Sequence, residues 1–272
     1  MNTFALTSAA IFTLFFWIAI LVVYTEMTAV AGRLLGIRPH QVAIGFFHPW
    51  WRTRVGDCDY TLSPFLLGAS TSFHSEDDAE PCAAEQPRYM DLPARYRILL
   101  PLVGPASLIV LGIVLFSLPV VIGSPQLGVQ SPTEVQPVGV SGLALVDDAA
   151  SWRGQWNLIT DLADEIGRTL VGLNESAECG GLISWALTVS ALAQHSIWWY
   201  LAGLGLIALV MGVFNALPLP PLSGFVSLTT VAEAVVGRPL SPGVQLPFAL
   251  AGLLMLLVLL VRLAWLDIRW FF

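Results

Sequence analysis

Two short stretches bring oxygen donors into otherwise apolar surroundings: "YTEMT" at 24–28 and "FNALPLPPLSGF" at 214–225. A hydroxyl becomes a nucleophile only beside a base. The chain contains no Lys, and its four histidines, His40, His48, His74 and His195, lie outside both stretches. No two of them are spaced i,i+4, so no helical face offers paired imidazoles to a metal. Cys58, Cys82 and Cys179 form no CxxC pair and read as three free thiols, although Cys58 and Cys82 share a loop. Glu26 is the ionisable member. A buried charge at membrane depth costs about 2.5–3.5 kcal/mol, so Glu26 needs a polar cavity, with Asn215 or Thr28, or water at a helix end near Arg33.

The elements that carry these residues are membrane helices. Of 272 residues, 56% are hydrophobic and 11% charged, less than half the ~25% charge of a soluble domain. Apolar runs at 8–23, 98–122, about 182–214 and 246–261 are near or above the ~20 residues of a spanning helix. Four transmembrane helices are predicted, with five as the alternative. The first run lacks a positively charged start and reads as an anchor rather than a cleaved signal. Leaving the third run, Asn215 and three prolines interrupt the chain near lipid, which is tolerated only inside protein or beside a polar cavity.

Residues 32–97 hold seven arginines (33, 38, 52, 54, 88, 95 and 97), while 123–181 hold only Arg153 and Arg168. The positive-inside rule makes the first loop cytoplasmic, the second external and the N-terminus external. "HQVAIGFFHPWWRTRVGDCDYTLSPFLLG" reads as a β-hairpin or re-entrant loop, with Trp50 and Trp51 suited to a lipid or partner contact. In the second loop Trp152, Trp156, Ile159, Ala163, Ile166 and Leu170 line one helical face, opposite Asp161, Asp164, Glu165 and Arg168. That amphipathic helix would lie on the outer surface, on a partner or on the protein's own spans. A net charge of −7 argues against nucleic acid as a partner. The fold expected is an all-α polytopic membrane domain over 1–272. Its spans fall at about 8–31, 97–122, 196–216 and 246–265, with a cytoplasmic loop at 32–96 and an outer loop at 123–181.

"FNALPLPPLSGF" resembles the third-helix motif of the site-2 protease family of intramembrane zinc metalloproteases, an Asn, then Pro-x-Pro, then Leu-Asp-Gly. Asn215, Pro218, Pro220, Leu222 and Gly224 match it. "GIRPHQVAIGF" (36–46), "RYRILLPLVGPASLIVLGIVLF" (95–116), "ECGGLISWA" (178–186) and "VVGRPLSP" (235–242) resemble further family segments in the same order. The resemblance implies a metal-binding helix with HExxH, in which Glu activates water, and a third ligand from the Asp of the motif. Counted back from 36–46, the HExxH positions fall on Tyr24, Thr25 and Thr28; the Asp position is Ser223. Sliding by one places Glu26 on the base, with Thr25 and Ala29 at the histidines. Neither register supplies a ligand.

The resemblance therefore implies a family member without its zinc ligands: not an enzyme, with no cofactor expected. Its remnant cavity would be formed by Glu26, Asn215, Pro218, Pro220 and Gly224. The family's fold holds substrate helices beside its core and pairs an extended strand with its cytoplasmic β-segment. A chain that no longer cuts is expected to serve as a scaffold, with other membrane subunits and the lipid bilayer as partners. The alternatives are a protease with unconventional ligands and a transient regulator of a live one.

Overall fold

The computed structural model describes residues 3–46, 48–73, 89–122, 186, 189, 197–220, 222–238 and 240–271. The expectations for residues 152–170 and for His74, His195, Cys82 and Cys179 concern residues outside them.

Five α-helices, a short 3-10 turn at Tyr89–Asp91 and one sheet carry most of the described residues. Helix α1 runs Thr3–Leu34, α2 Ala94–Ile122, α3 Ile197–Ala216, α4 Ser223–Val236 and α5 Pro242–Phe271. Four contain stretches long and apolar enough to cross a membrane: Ile11–Leu34, Ala94–Pro119, Ile197–Ala216 and Gln245–Arg269. The mostly helical membrane architecture expected from the apolar runs is thus present. α4 is too short to span and ends at Gly237, whose φ of 74° suits only a residue without a Cβ.

Between α1 and α2 the expectation of a simple hairpin gives way to a four-stranded sheet. Strands β1 (Pro39–Phe46), β2 (Trp51–Val55), β3 (Cys58–Leu62) and β4 (Phe65–Phe73) lie in the order β2-β3-β1-β4. β2 and β3 do form a hairpin, closed by Gly56 at φ 63° and Asp57. β3 then pairs parallel to β1, with Gln41 opposite Asp59, and β4 closes the other edge of β1 antiparallel. The register of β1 and β4 shifts between Ile44 and Phe46, where Gly45 takes φ 86° and forms a bulge. Local sequence carries turn signals but no sign of which distant strand will lie alongside, so the parallel pair was invisible to it.

The chain divides into two compact units. One comprises Phe15–Leu111 and Ala208–Leu253. It contains the sheet, α4 and both stretches singled out above. Here β4 lies along α1: the Trp17 indole N–H donates to the Leu66 carbonyl (2.6 Å) and the Thr71 hydroxyl to the Thr25 carbonyl (3.0 Å). Further on, the Phe73 ring fills the space over Gly32. From Trp17 to Gly32 the helix rises about 22 Å, close to the ~23 Å that β4 covers from Leu66 to Phe73. The sheet therefore runs beside membrane-spanning helix. Ala29, Val42 and Cys58 pack together beneath Tyr60 to join it to α1.

The other unit comprises Met1–Leu14, Gly112–Ile207 and Leu254–Phe272. Within it the hydroxyls of Thr13 and Tyr200 lie 3.2 Å apart. Gly205 brings α3 against α2, where an added Cβ would stand 2.6 Å from the Phe116 nitrogen.

Candidate functional site

The Tyr24 phenol and the Ser223 hydroxyl are hydrogen-bonded to each other, although 199 residues separate them. Each is positioned by its helix. Tyr24 stands ten residues ahead of Leu34, about 15 Å along the α1 axis. Ser223 opens α4, so that helix starts at the depth of Tyr24 rather than at the membrane face. Further along α4 the Ser227 hydroxyl donates to the Ile98 carbonyl (2.8 Å), and Thr230 is bonded to Tyr89. Tyr89 precedes α2, donates to the Arg97 carbonyl (2.8 Å), and has its phenol pKa raised by burial. α4 thus climbs from mid-depth to the end of α2.

Close approach of backbones makes room for this arrangement. At Gly104 an added Cβ would stand 2.8 Å from the Tyr24 ring and 2.9 Å from the Thr28 hydroxyl. At Gly212 one would stand 2.8 Å from the Pro105 carbonyl, so α3 lies against α2. At Gly224 it would strike the carbonyls of Ala216 and Leu217. Gly252 in turn leaves space for Pro220. The Pro-rich segment is thus packed on one side against α4 at Gly224 and on another against α5 at Gly252.

The other expected residues distribute around this pair. Thr28 is buried and donates to the Tyr24 carbonyl (3.0 Å). Thr25 is fully buried on the face toward the sheet, its hydroxyl turned back to the Leu21 carbonyl (3.0 Å). Asn215 is half-buried and donates to the Met211 carbonyl (2.8 Å). Glu26 is half-buried and lies within electrostatic reach of Cys58. Burial pushes the Cys58 thiol pKa up, against the pull of Arg33. Pro218 is exposed and Pro220 half-buried. Trp50 and Trp51 are exposed, at 80% and 55%. Sequence reasoning missed the close contact at Gly104, for which the Gly-Pro pair at 104–105 was the available signal, and the clasp of Ser227 on α2, for which there was none.

With this geometry in view, a sequence model of Peptidase family M50 matches residues 13–259. The chain belongs to peptidase family M50, the site-2 protease family. Among similar M50 relatives is a candidate zinc metalloprotease of Rhizobium meliloti, 32% identical over 118 residues, which are 43% of this chain and 31% of the relative. A protein of Photorhabdus luminescens named Protease RseP is 35% identical over 109 residues, 40% of this chain and 48% of that protein. A candidate zinc metalloprotease of Streptococcus pneumoniae is 32% identical over 94 residues, 34% of this chain and 22% of the relative. The chain spans no more than about half the length of these relatives.

The M50 family implies zinc. The side chains gathered at the site, those of Tyr24, Thr28 and Ser223, offer neutral hydroxyls. Zinc in proteins is held by thiolate, imidazole or carboxylate, and this donor set does not fit it. Among the described residues no three His, Cys, Asp or Glu stand together as metal ligands.

Proposed function

We propose that this M50 member is catalytically inactive and acts as an accessory or structural subunit of a larger membrane complex. The observation that carries the reading is the Tyr24–Ser223 hydrogen bond. The two residues at the positions of the first and third zinc ligands satisfy each other, in place of a shared ion. The ungapped register is favoured over the shifted one, because Thr25 is buried facing the sheet and Ala29 packs against Val42 and Cys58. Neither of them meets Ser223. A hydroxyl nucleophile would also want a base: among the described residues, the hydrogen bonds of Tyr24 and Thr28 go to Ser223 and a backbone carbonyl.

The surface suits a binding role. Among the described residues β2 is an edge of the sheet, and four of its five residues are exposed. An edge strand leaves N–H and C=O groups that a partner strand can pair with. We place the protein in a bacterial inner membrane with its N-terminus outside, on the arginine distribution. A second reading, an active protease with unconventional ligands, draws on the names of the relatives. It requires ligands from another subunit or from residues outside the gathered hydroxyls.

Native mass spectrometry of the protein from its own membranes, with zinc counted in the same sample, tests the proposal. The expected result is a stable heteromer without zinc that survives dilution. A single chain carrying one zinc would restore the enzyme, and a heteromer lost on dilution would indicate a transient regulator.

A further inference from the structure

Arg262 stands within the stretch of α5 that is long and apolar enough to cross a membrane. That stretch, Gln245–Arg269, continues seven residues beyond it, about 10 Å. The Cα–Cβ bonds of an α-helix lean toward its N-terminus. The Arg262 side chain therefore sets out toward the interior of the span, away from the nearer end. Its Nε is buried without a hydrogen-bond partner. The two ion pairs among the described residues join Arg38 to Asp57 and Arg54 to Asp59, and leave Arg262 out. Asp267, the one acid of α5, is buried and already partnered, and it lies about 140° around the helix from Arg262. An arginine within a span is retained where it meets a counter-charge or water.

The face of α5 that carries Arg262 is otherwise uncovered. Ala251, Met255, Val258, Arg262, Trp265 and Arg269 recur at spacings of four and three, the pattern of a seam along which two helices pack. Arg262 is half-buried and the other five are exposed. Only 6% of the most apolar window of α5 is buried within the protein, against 50% for α3. Lipid tails can cover Met255 and Val258, but they offer a guanidinium neither charge nor hydrogen bond. A second copy docked in parallel register would set Arg262 against Arg262 and Arg269 against Arg269, a repulsive pairing.

We propose that this face of α5 receives a transmembrane helix of a partner protein, and that the helix carries an Asp or Glu opposite Arg262. This rests on the scaffold reading and adds to it the form and the charge of the partner. The planar guanidinium suits bidentate pairing with a carboxylate. Small Ala251 lets the two backbones approach at the other end of the seam. A partner bearing Lys in place of the acid would be repelled.

The test uses the full chain, fused to a fluorescent donor, in phosphatidylcholine vesicles at pH 8 with acceptor-labelled transmembrane peptides. Each peptide is a Leu-Ala helix of about 23 residues. It carries Glu, Gln or Lys seven residues from its C-terminus or, in a second set, from its N-terminus, so that parallel and antiparallel docking are both read. In one of the sets the wild type should associate at least about tenfold more tightly with the Glu peptide than with the Lys peptide, a difference of ~1.4 kcal/mol. The Gln peptide should fall between them. Arg262→Gln should level the three, and Arg262→Glu should reverse their order. Arg262→Gln, uncharged and similar in length, carries the comparison if Arg262→Glu does not fold. Equal association of the wild type with the Glu and Lys peptides in both sets would overturn the inference, as would a Glu preference that survives in Arg262→Gln. So would loss of that preference when phosphatidylglycerol is added, which would assign Arg262 to lipid phosphate. The scaffold reading is judged apart from this. A zinc-free heteromer that persists in Arg262→Gln keeps the scaffold and removes the carboxylate, whereas a zinc-bearing monomer removes the scaffold whatever the peptides do.

Discussion

At the scale of single residues, the decisive contact joins Tyr24 to Ser223 and sets Thr28 one turn further along α1, beside Gly104. Two of the side chains at the expected ligand positions already meet, and the third lies one turn along the same helix. Substituting Tyr24→His, Thr25→Glu, Thr28→His and Ser223→Asp together should therefore create zinc affinity that the native chain lacks. The measurement is metal content after dialysis against zinc, expected to rise from none to one ion per chain. A folded quadruple variant that takes up no zinc would refute the register. Residue types could be matched to motif positions from the sequence, because that match needs only spacing. That Tyr24 and Ser223 bond to each other could not be, since 199 residues of chain lie between them.

At the scale of elements, glycines mark where backbone must meet backbone. A Cβ at Gly224 would strike two carbonyls at the end of α3, neither of which can swing aside as a side chain could. Gly224→Ala should destabilise by about 1–3 kcal/mol. At Gly243 an added Cβ meets nothing within 4 Å, so Gly243→Ala should be neutral or slightly stabilising. Thermal unfolding in detergent would compare them, and an unchanged Gly224→Ala would mean that α4 does not begin against α3 as described. Helices α1, α2, α3 and α5 were legible as apolar runs because lipid imposes length and hydrophobicity on any span. The sheet was only half legible. Its turn at Gly56–Asp57 reads locally, but the parallel partnership of β1 with β3 depends on residues that no short window contains.

At the scale of the whole molecule, the proposed orientation rests on seven arginines before α2 against two in 123–181. With four spans, both termini should face outward. Alkaline phosphatase fused after residue 272 should be active and green fluorescent protein at the same place dark; the reverse pattern would invert the topology. Membrane residence, four apolar runs long enough to span and the family resemblance were legible in the sequence alone. Apolar length, arginine counts and motif order are properties of the chain that survive without coordinates. Tertiary structure decided what those properties could not: that α4 starts at the depth of Tyr24, that the sheet lies along α1, and that β1 pairs parallel with β3. Depth and pairing are relations between segments far apart in the chain, and only packing brings them to one place.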